Sequence, residues 1–143
     1  MEVKTNSPKE SQKVAEKLAK TLVGGDVVAL YGELGAGKTI FVQGLAKGLN
    51  IKRKLTSPTF VFMRSYPFVQ KKKALTFYHL DLYRGQEKAD FKNLGLDEIF
   101  SPDSIVVLEW ADRIMESLPK NRIDVVIETV NEKKRKIKIR RNK

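Results

Sequence analysis

The stretch Gly32-Glu33-Leu34-Gly35-Ala36-Gly37-Lys38-Thr39 constrains what this chain can fold into more than any other. Its glycines allow backbone turns that side chains forbid, and a helical pattern follows at once, with Ile40, Phe41, Leu45 and Leu49 on one face. Ahead of it, Asp26–Tyr31 is a short apolar run preceded by Gly24-Gly25, which predicts a buried strand. Strand, glycine loop and helix in that order satisfy G-x-x-x-x-G-K-[ST] without a gap, the phosphate-binding P-loop. Its glycines let backbone N–H groups turn inward around phosphate oxygens, and the helix N-terminus adds partial positive charge. Lys38 reaches the β- and γ-phosphates as a point charge, and the Thr39 hydroxyl serves magnesium.

A P-loop site also needs an acid at a strand end to hold the metal or orient water. Ser104-Ile105-Val106-Val107-Leu108 is a second apolar run, and it closes on Glu109, the pattern of a Walker B element. Asp81 ends Phe77–Leu80 on another predicted strand. Thr56-Ser57-Pro58-Thr59 lies where P-loop proteins place a switch hydroxyl, although Ser-Pro alone reads as an ordinary turn. His79 alternates with Phe77 and Asp81 and is read as a structural strand residue. Trp110 is open between covering a ligand and packing in a core.

The remaining punctuation gives one α/β domain over residues 1–143. Ser7-Pro8-Lys9-Glu10 is a capping box that opens a helix to about Leu22, stopped by Gly24-Gly25. Phe60–Tyr66 and Ala74–Tyr83 read as strands joined through Pro67–Lys73. A short helix is expected near Leu96–Phe100 and another from Trp110 to about Leu118, with Arg122–Val130 and Lys134–Arg140 as a closing antiparallel pair. The expected fold is a P-loop NTPase with a mixed central sheet flanked by helices and extended by antiparallel strands.

Composition narrows the function further. The 143 residues include no cysteine and one histidine, which excludes disulfides, thiol chemistry and His-rich metal centres. No run of about 18 apolar residues is present and the N-terminus carries no apolar signal stretch, so the expected protein is cytoplasmic with no membrane partner. The net charge of +11 favours polyanionic partners. It is concentrated in Lys71-Lys72-Lys73 and in the eight basic residues of 133–143. A nucleic-acid role and a solvated basic surface both fit that distribution.

GELGAGKT, TSPTF, YHLDLYR, LGLDEIF and LEWADR, in this order and across nearly the whole chain, resemble the bacterial TsaE (YjeE) family. The resemblance implies a weak magnesium-dependent ATPase that supports formation of N6-threonylcarbamoyladenosine beside the anticodon of tRNAs reading codons that begin with adenine. It implies TsaD, which transfers the threonylcarbamoyl group, and TsaB as partners, with tRNA reached indirectly through the complex. Carried over by motif, Gly35 to Thr39 hold the phosphates of ATP, Thr39 and Glu109 serve Mg2+, Thr59 is the switch threonine and Asp81 an active-site acid. Trp110 follows the family's Glu-Trp pair. The family's adenine contacts point to Thr5, Asn6, Glu10 and Arg135. A stronger basic C-terminal end than the fold requires is left unexplained by the resemblance.

Two other readings share the P-loop. A small-molecule kinase needs a substrate pocket and an arginine-bearing lid, and 83–100 offers only Arg84. A nucleic-acid-binding module regulated by nucleotide would draw on the basic surface instead.

Overall fold

Ser7 caps the first helix as its sequence requires, its Oγ accepting from the Glu10 N–H at 3.2 Å with Pro8 in the first turn. Glu10 reaches back one residue further than a reciprocal box would, accepting from the Asn6 N–H. The computed structural model describes residues 1–33, 35–52, 63–82 and 95–142, the side chain of Arg113 excepted. In chain order the elements are β1 (Glu2–Thr5), α1 (Pro8–Ala19), β2 (Val27–Tyr31), α2 (Lys38–Gly48), β3 (Met63–Gln70) and β4 (Lys73–Asp81). After these come α3 (Leu96–Ile99), β5 (Ser104–Glu109), a 3-10 helix at Ala111–Ser117, β6 (Ile123–Thr129) and β7 (Arg135–Arg141).

The strands form one sheet in the order β1-β7-β6-β2-β5-β4-β3. Its centre, β6-β2-β5-β4, is parallel, and the β3–β4, β6–β7 and β1–β7 pairs at the two flanks are antiparallel. This is the expected mixed sheet. β2 and β5 are almost wholly buried, which explains their unbroken apolar runs. One face, carrying Val28, Leu30, Phe77, Ile105, Val107 and Val125, packs against α1 and α2. The other, with Ala29, Leu80, Val106 and Leu108, is covered by α3 and the 3-10 helix through Ile99, Ala111, Ile114 and Leu118.

Several boundaries differ from the sequence expectation. Helix α1 ends at Ala19 and the chain turns through Thr21 and Leu22, whose N–H groups bond back to Leu18 and Ala19. The hairpin connection is only Lys71-Lys72, both at positive φ, and Pro67–Gln70 belong to β3. Pro67 is tolerated because β3 is an edge strand and its missing N–H faces no partner. The segment after Trp110 is a 3-10 helix, with a non-helical residue at Ile114. Strand β1 was not anticipated: Glu-Val-Lys-Thr is too short and charged to read as a strand, and it exists because β7 offers it an edge.

Helices α1 and α2 cross closely at two glycines. A Cβ on Gly44 would stand 2.4 Å from the Gln12 carbonyl oxygen and 2.7 Å from the Ala15 Cβ. Gly44→Ala should therefore destabilise the fold by about 1–3 kcal/mol through overpacking, against the gain of up to about 1 kcal/mol that alanine brings to an unconstrained helix. Urea unfolding of the variant reads the sign; a higher midpoint would show that the helices can separate freely.

Candidate nucleotide site at the end of the parallel strands

Parallel alignment fixes the site. Leu30 on β2 lies beside Glu109 on β5, and Glu109 lies beside Asp81 on β4. The loop that leaves β2 and the two acids thus emerge together at the carboxyl end of the sheet, where open α/β sheets bind ligands. Both acids are almost fully buried, Asp81 at 9% exposure and Glu109 at 3%.

The glycine loop reaches α2 through left-handed backbone at Gly35 (φ 82°) and Gly37 (φ 100°), the latter standing at the N-cap without a side-chain cap. The orphan N–H groups of the first turn are thereby left facing outward for an anion. Lys38 opens α2, and its ammonium folds back over the loop. Nζ donates to the Gly32 carbonyl at 2.6 Å and the Glu33 carbonyl at 2.9 Å, and stands 4.0 Å from the centre of the Trp110 ring. Burial pushes the Lys38 pKa below the ordinary lysine value, while Glu109, Asp81 and Asp112 act in the opposite direction. Thr39 follows as the second helical residue, half-buried.

Trp110 sits over Lys38 because its own backbone is left-handed (φ 59°, ψ 41°). A bulky residue adopts that conformation only where its surroundings hold it there. The ring and the acid before it therefore face the loop as a unit. Of the two readings left open for Trp110, the geometry shows packing: the half-buried ring lies against the core and over the loop lysine.

His79 is the residue that the strand pattern undersold. It is 1% exposed, and its Nε2 lies 2.5 Å from Glu109 Oε2. A carboxylate only accepts, so the ring presents Nε2–H and anchors one oxygen of Glu109. His79 Nδ1 is buried without a hydrogen-bond partner among the described residues. The only signal in the sequence was parity: His79 shares a face with Asp81, the face that β5 turns toward α2.

The adenine candidates fall around a cavity of about 480 Å³ on the far side of the loop. Its walls are Ser7, Pro8 and Ser11 from α1, Gly35–Gly37 and Ile40 from the loop and α2, and Glu132, Lys133 and Arg135. Of the four adenine candidates, Arg135 borders it directly. Its guanidinium donates to the Ala36 carbonyl at 3.0 Å and to the Asn131 carbonyl at 2.8 Å, stapling the β6–β7 turn to the loop. Thr5 stands behind Ser11, joined Oγ1 to Oγ at 2.7 Å. Asn6 and Glu10 bond to each other and shape the entry to α1. Thr59 and the rest of Thr56–Thr59 lie outside the described residues, as does Arg84.

The His79 contact has a measurable consequence. His79→Leu keeps the bulk but leaves a buried carboxylate short of a donor, so it should cost about 1–3 kcal/mol of stability. His79→Gln, which retains an N–H at similar reach, should recover part of that loss in the same urea titration. Equal loss in the two variants would mean that the imidazole serves as filling alone.

Comparison with known proteins agrees with this architecture. The family model described as threonylcarbamoyl adenosine biosynthesis protein TsaE matches residues 5–137. The tRNA threonylcarbamoyladenosine biosynthesis protein TsaE of Bacillus subtilis is 39% identical over 134 residues, covering 94% of this chain and 81% of its own. The protein of the same name from Treponema pallidum is 33% identical over 135 residues, covering 94% and 96%. The crystal structure of Bacillus subtilis YdiB superposes with a TM-score of 0.81 at 34% identity, covering all of this chain and 86% of that one. The chain belongs to the TsaE family.

Proposed function

We propose that this protein binds and hydrolyses ATP with Mg2+ in support of threonylcarbamoyladenosine formation on tRNA. The observation that carries the proposal is the convergence of the P-loop, Lys38, Asp81 and Glu109 at one end of the parallel strands. The names of its relatives supply the pathway: the proteins from Bacillus subtilis and Treponema pallidum are tRNA threonylcarbamoyladenosine biosynthesis proteins. TsaD and TsaB are the proposed partners, with tRNA reached through their complex. Among the described helices none is long and apolar enough to cross a membrane, and a cytoplasmic setting is part of the same proposal.

The donor set suits magnesium. Thr39, Glu109 and Asp81 offer only oxygen, the preference of a hard cation that keeps most of its waters and takes few protein ligands. Thr39 and Glu109 would hold it, and when bound it supplies positive charge to the β- and γ-phosphates. The chain's own residues do the rest. Gly35–Gly37 and the first turn of α2 present N–H groups to the phosphates. Lys38 must leave the carbonyls of Gly32 and Glu33 to reach the transferring phosphate, exchanging two loop acceptors for a charged one. His79 fixes one oxygen of Glu109 and so directs the other. Asp81, buried beside Glu109, is the second acid available to orient water. The cavity between α1 and the β6–β7 turn takes the nucleobase.

Each role has a measurement. Lys38→Ala and Glu109→Ala should each lower ATP hydrolysis by at least about 100-fold, the scale on which removal of a single transition-state electrostatic contact is felt. Unchanged hydrolysis in both would end the assignment. Trp110 is the single tryptophan and touches Lys38; ATP with Mg2+ should therefore change the intrinsic fluorescence of the wild-type protein, and Lys38→Ala should blunt that change. In a reconstituted transfer reaction with TsaD and TsaB, multiple turnovers should require this protein. An equally active mixture lacking it would remove the pathway claim, whatever the ATPase result.

A further inference from the structure

Several basic residues on and around the open sheet face have acidic partners: Lys136 with Glu2 at 3.3 Å, Lys138 with Glu128 at 3.2 Å, and Arg122 with Asp124 at 2.9 Å. Lys47 and Lys73 are likewise paired, with Glu16 and Asp103. Such pairs cancel at a distance and attract little.

Helix α1 is different. Lys9, Lys13, Lys17 and Lys20 are all exposed, at steps of four, four and three residues, opposite the buried line Ser11, Ala15 and Ala19. None of the four forms an ion pair among the described residues. The helix acids are fewer: Glu16 is paired with Lys47, and Glu10 alone stands against the four lysines. At 1.5 Å per residue the ridge runs about 16 Å with a cation about every 6 Å.

The Lys71-Lys72 turn, which the nucleotide site leaves unused, extends this ridge. At its C-terminal end, Gln70 donates to the Leu22 carbonyl at 2.9 Å, which ties the exposed Lys71-Lys72 turn beside the end of α1. At its N-terminal end, Lys133 shares the walls of one cavity with Ser7 and Pro8. Unpaired lysines therefore run along the exposed side of α1 and continue at the Lys71-Lys72 turn.

We infer that the lysine ridge of α1, extended by the Lys71-Lys72 turn, also binds the phosphate backbone of RNA directly, beyond the indirect route through TsaD and TsaB proposed above. Evenly spaced, solvated point charges without aromatic or planar partners fit a polyanion read by charge and not by sequence. The choice of RNA as the polyanion rests on the tRNA reading above; the ridge itself does not.

The test is fluorescence anisotropy of the full chain with an unmodified tRNA transcript at several salt concentrations. With four phosphate contacts, wild-type affinity should fall roughly 50-fold between 50 and 200 mM salt. Lys13→Gln, Lys17→Gln and Lys20→Gln together should flatten the slope of log K against log salt by about 2, since each lost contact removes about 0.7. Lys136→Gln with Lys138→Gln, drawn from the paired set, should leave the slope within about 0.7 of wild type. Thermal unfolding shows that the triple variant is folded, and its ATP hydrolysis should match wild type because no ridge residue enters the nucleotide site.

An unchanged slope in the folded triple variant overturns the inference, as does the absence of wild-type binding at 50 mM salt. Equal or tighter binding to polyglutamate or to phosphatidylglycerol vesicles overturns RNA as the occupant. Loss of hydrolysis in Lys38→Ala with RNA binding intact would support both readings separately; failure of RNA binding with hydrolysis intact would sink this one alone.

Discussion

A lysine ammonium at 5% residue exposure governs the arrangement around it. Removing such a group from water costs several kcal/mol unless its donors are used and opposite charge is near. The loop bends so that two carbonyls meet Nζ, the Trp110 ring closes over it, and Glu109, Asp81 and Asp112 set the local potential. Each of those groups reaches Lys38 only because β2, β5 and β4 run parallel and end together. The parallel core is thus the mechanical condition for keeping a buried cation next to two buried carboxylates.

That dependence explains what was legible in the sequence. The loop, the strand before it and the helix behind it are local, and local chemistry declared them: glycines where the backbone is left-handed, apolar residues where both faces are covered. The places of Glu109 and Asp81 at adjacent strand ends were legible because each closes an apolar run. Strand β1 was illegible because its cause lies in β7, more than a hundred residues away. Pro67 misled for a similar reason: proline signals a turn until the sheet order shows that β3 is an edge. His79 was passed over because its partner comes from another strand, and parity alone does not reveal which side chain stands across. The N-terminal segment was placed near the site, yet the residues that line the cavity are Ser7, Pro8 and Ser11, one step along from Asn6 and Glu10.

The two faces of the sheet carry different burdens. The α1–α2 face is sealed by the glycine crossing at Gly44 and Gly48, where neither position has room for a Cβ. This tight contact lets α1 present its N-terminus beside the loop while its opposite side stays in water. The same helix therefore contributes a wall of the nucleotide-side cavity and the lysine ridge, on surfaces about half a turn apart. On the β6-β7-β1 part of the other face, several charges are paired across strands, which helps keep an open sheet solvated.

Trp110 joins these regions physically. Its backbone is strained, and the ring's contact with the Lys38 ammonium is one of the interactions that hold it in that state. Under the proposed function Lys38 would turn toward a phosphate, and the ring would then lose a cation and the left-handed residue part of what stabilises it. The chain immediately after Trp110 is a 3-10 helix interrupted at Ile114, not a regular helix that would resist displacement. Beside it lies a cavity of about 810 Å³ bounded by Tyr31, Trp110 and Asp112 with the last residues of β6. Trp110 thus touches Lys38 and forms part of the wall of a second cavity. The link between loop and cavity is made by atoms in contact.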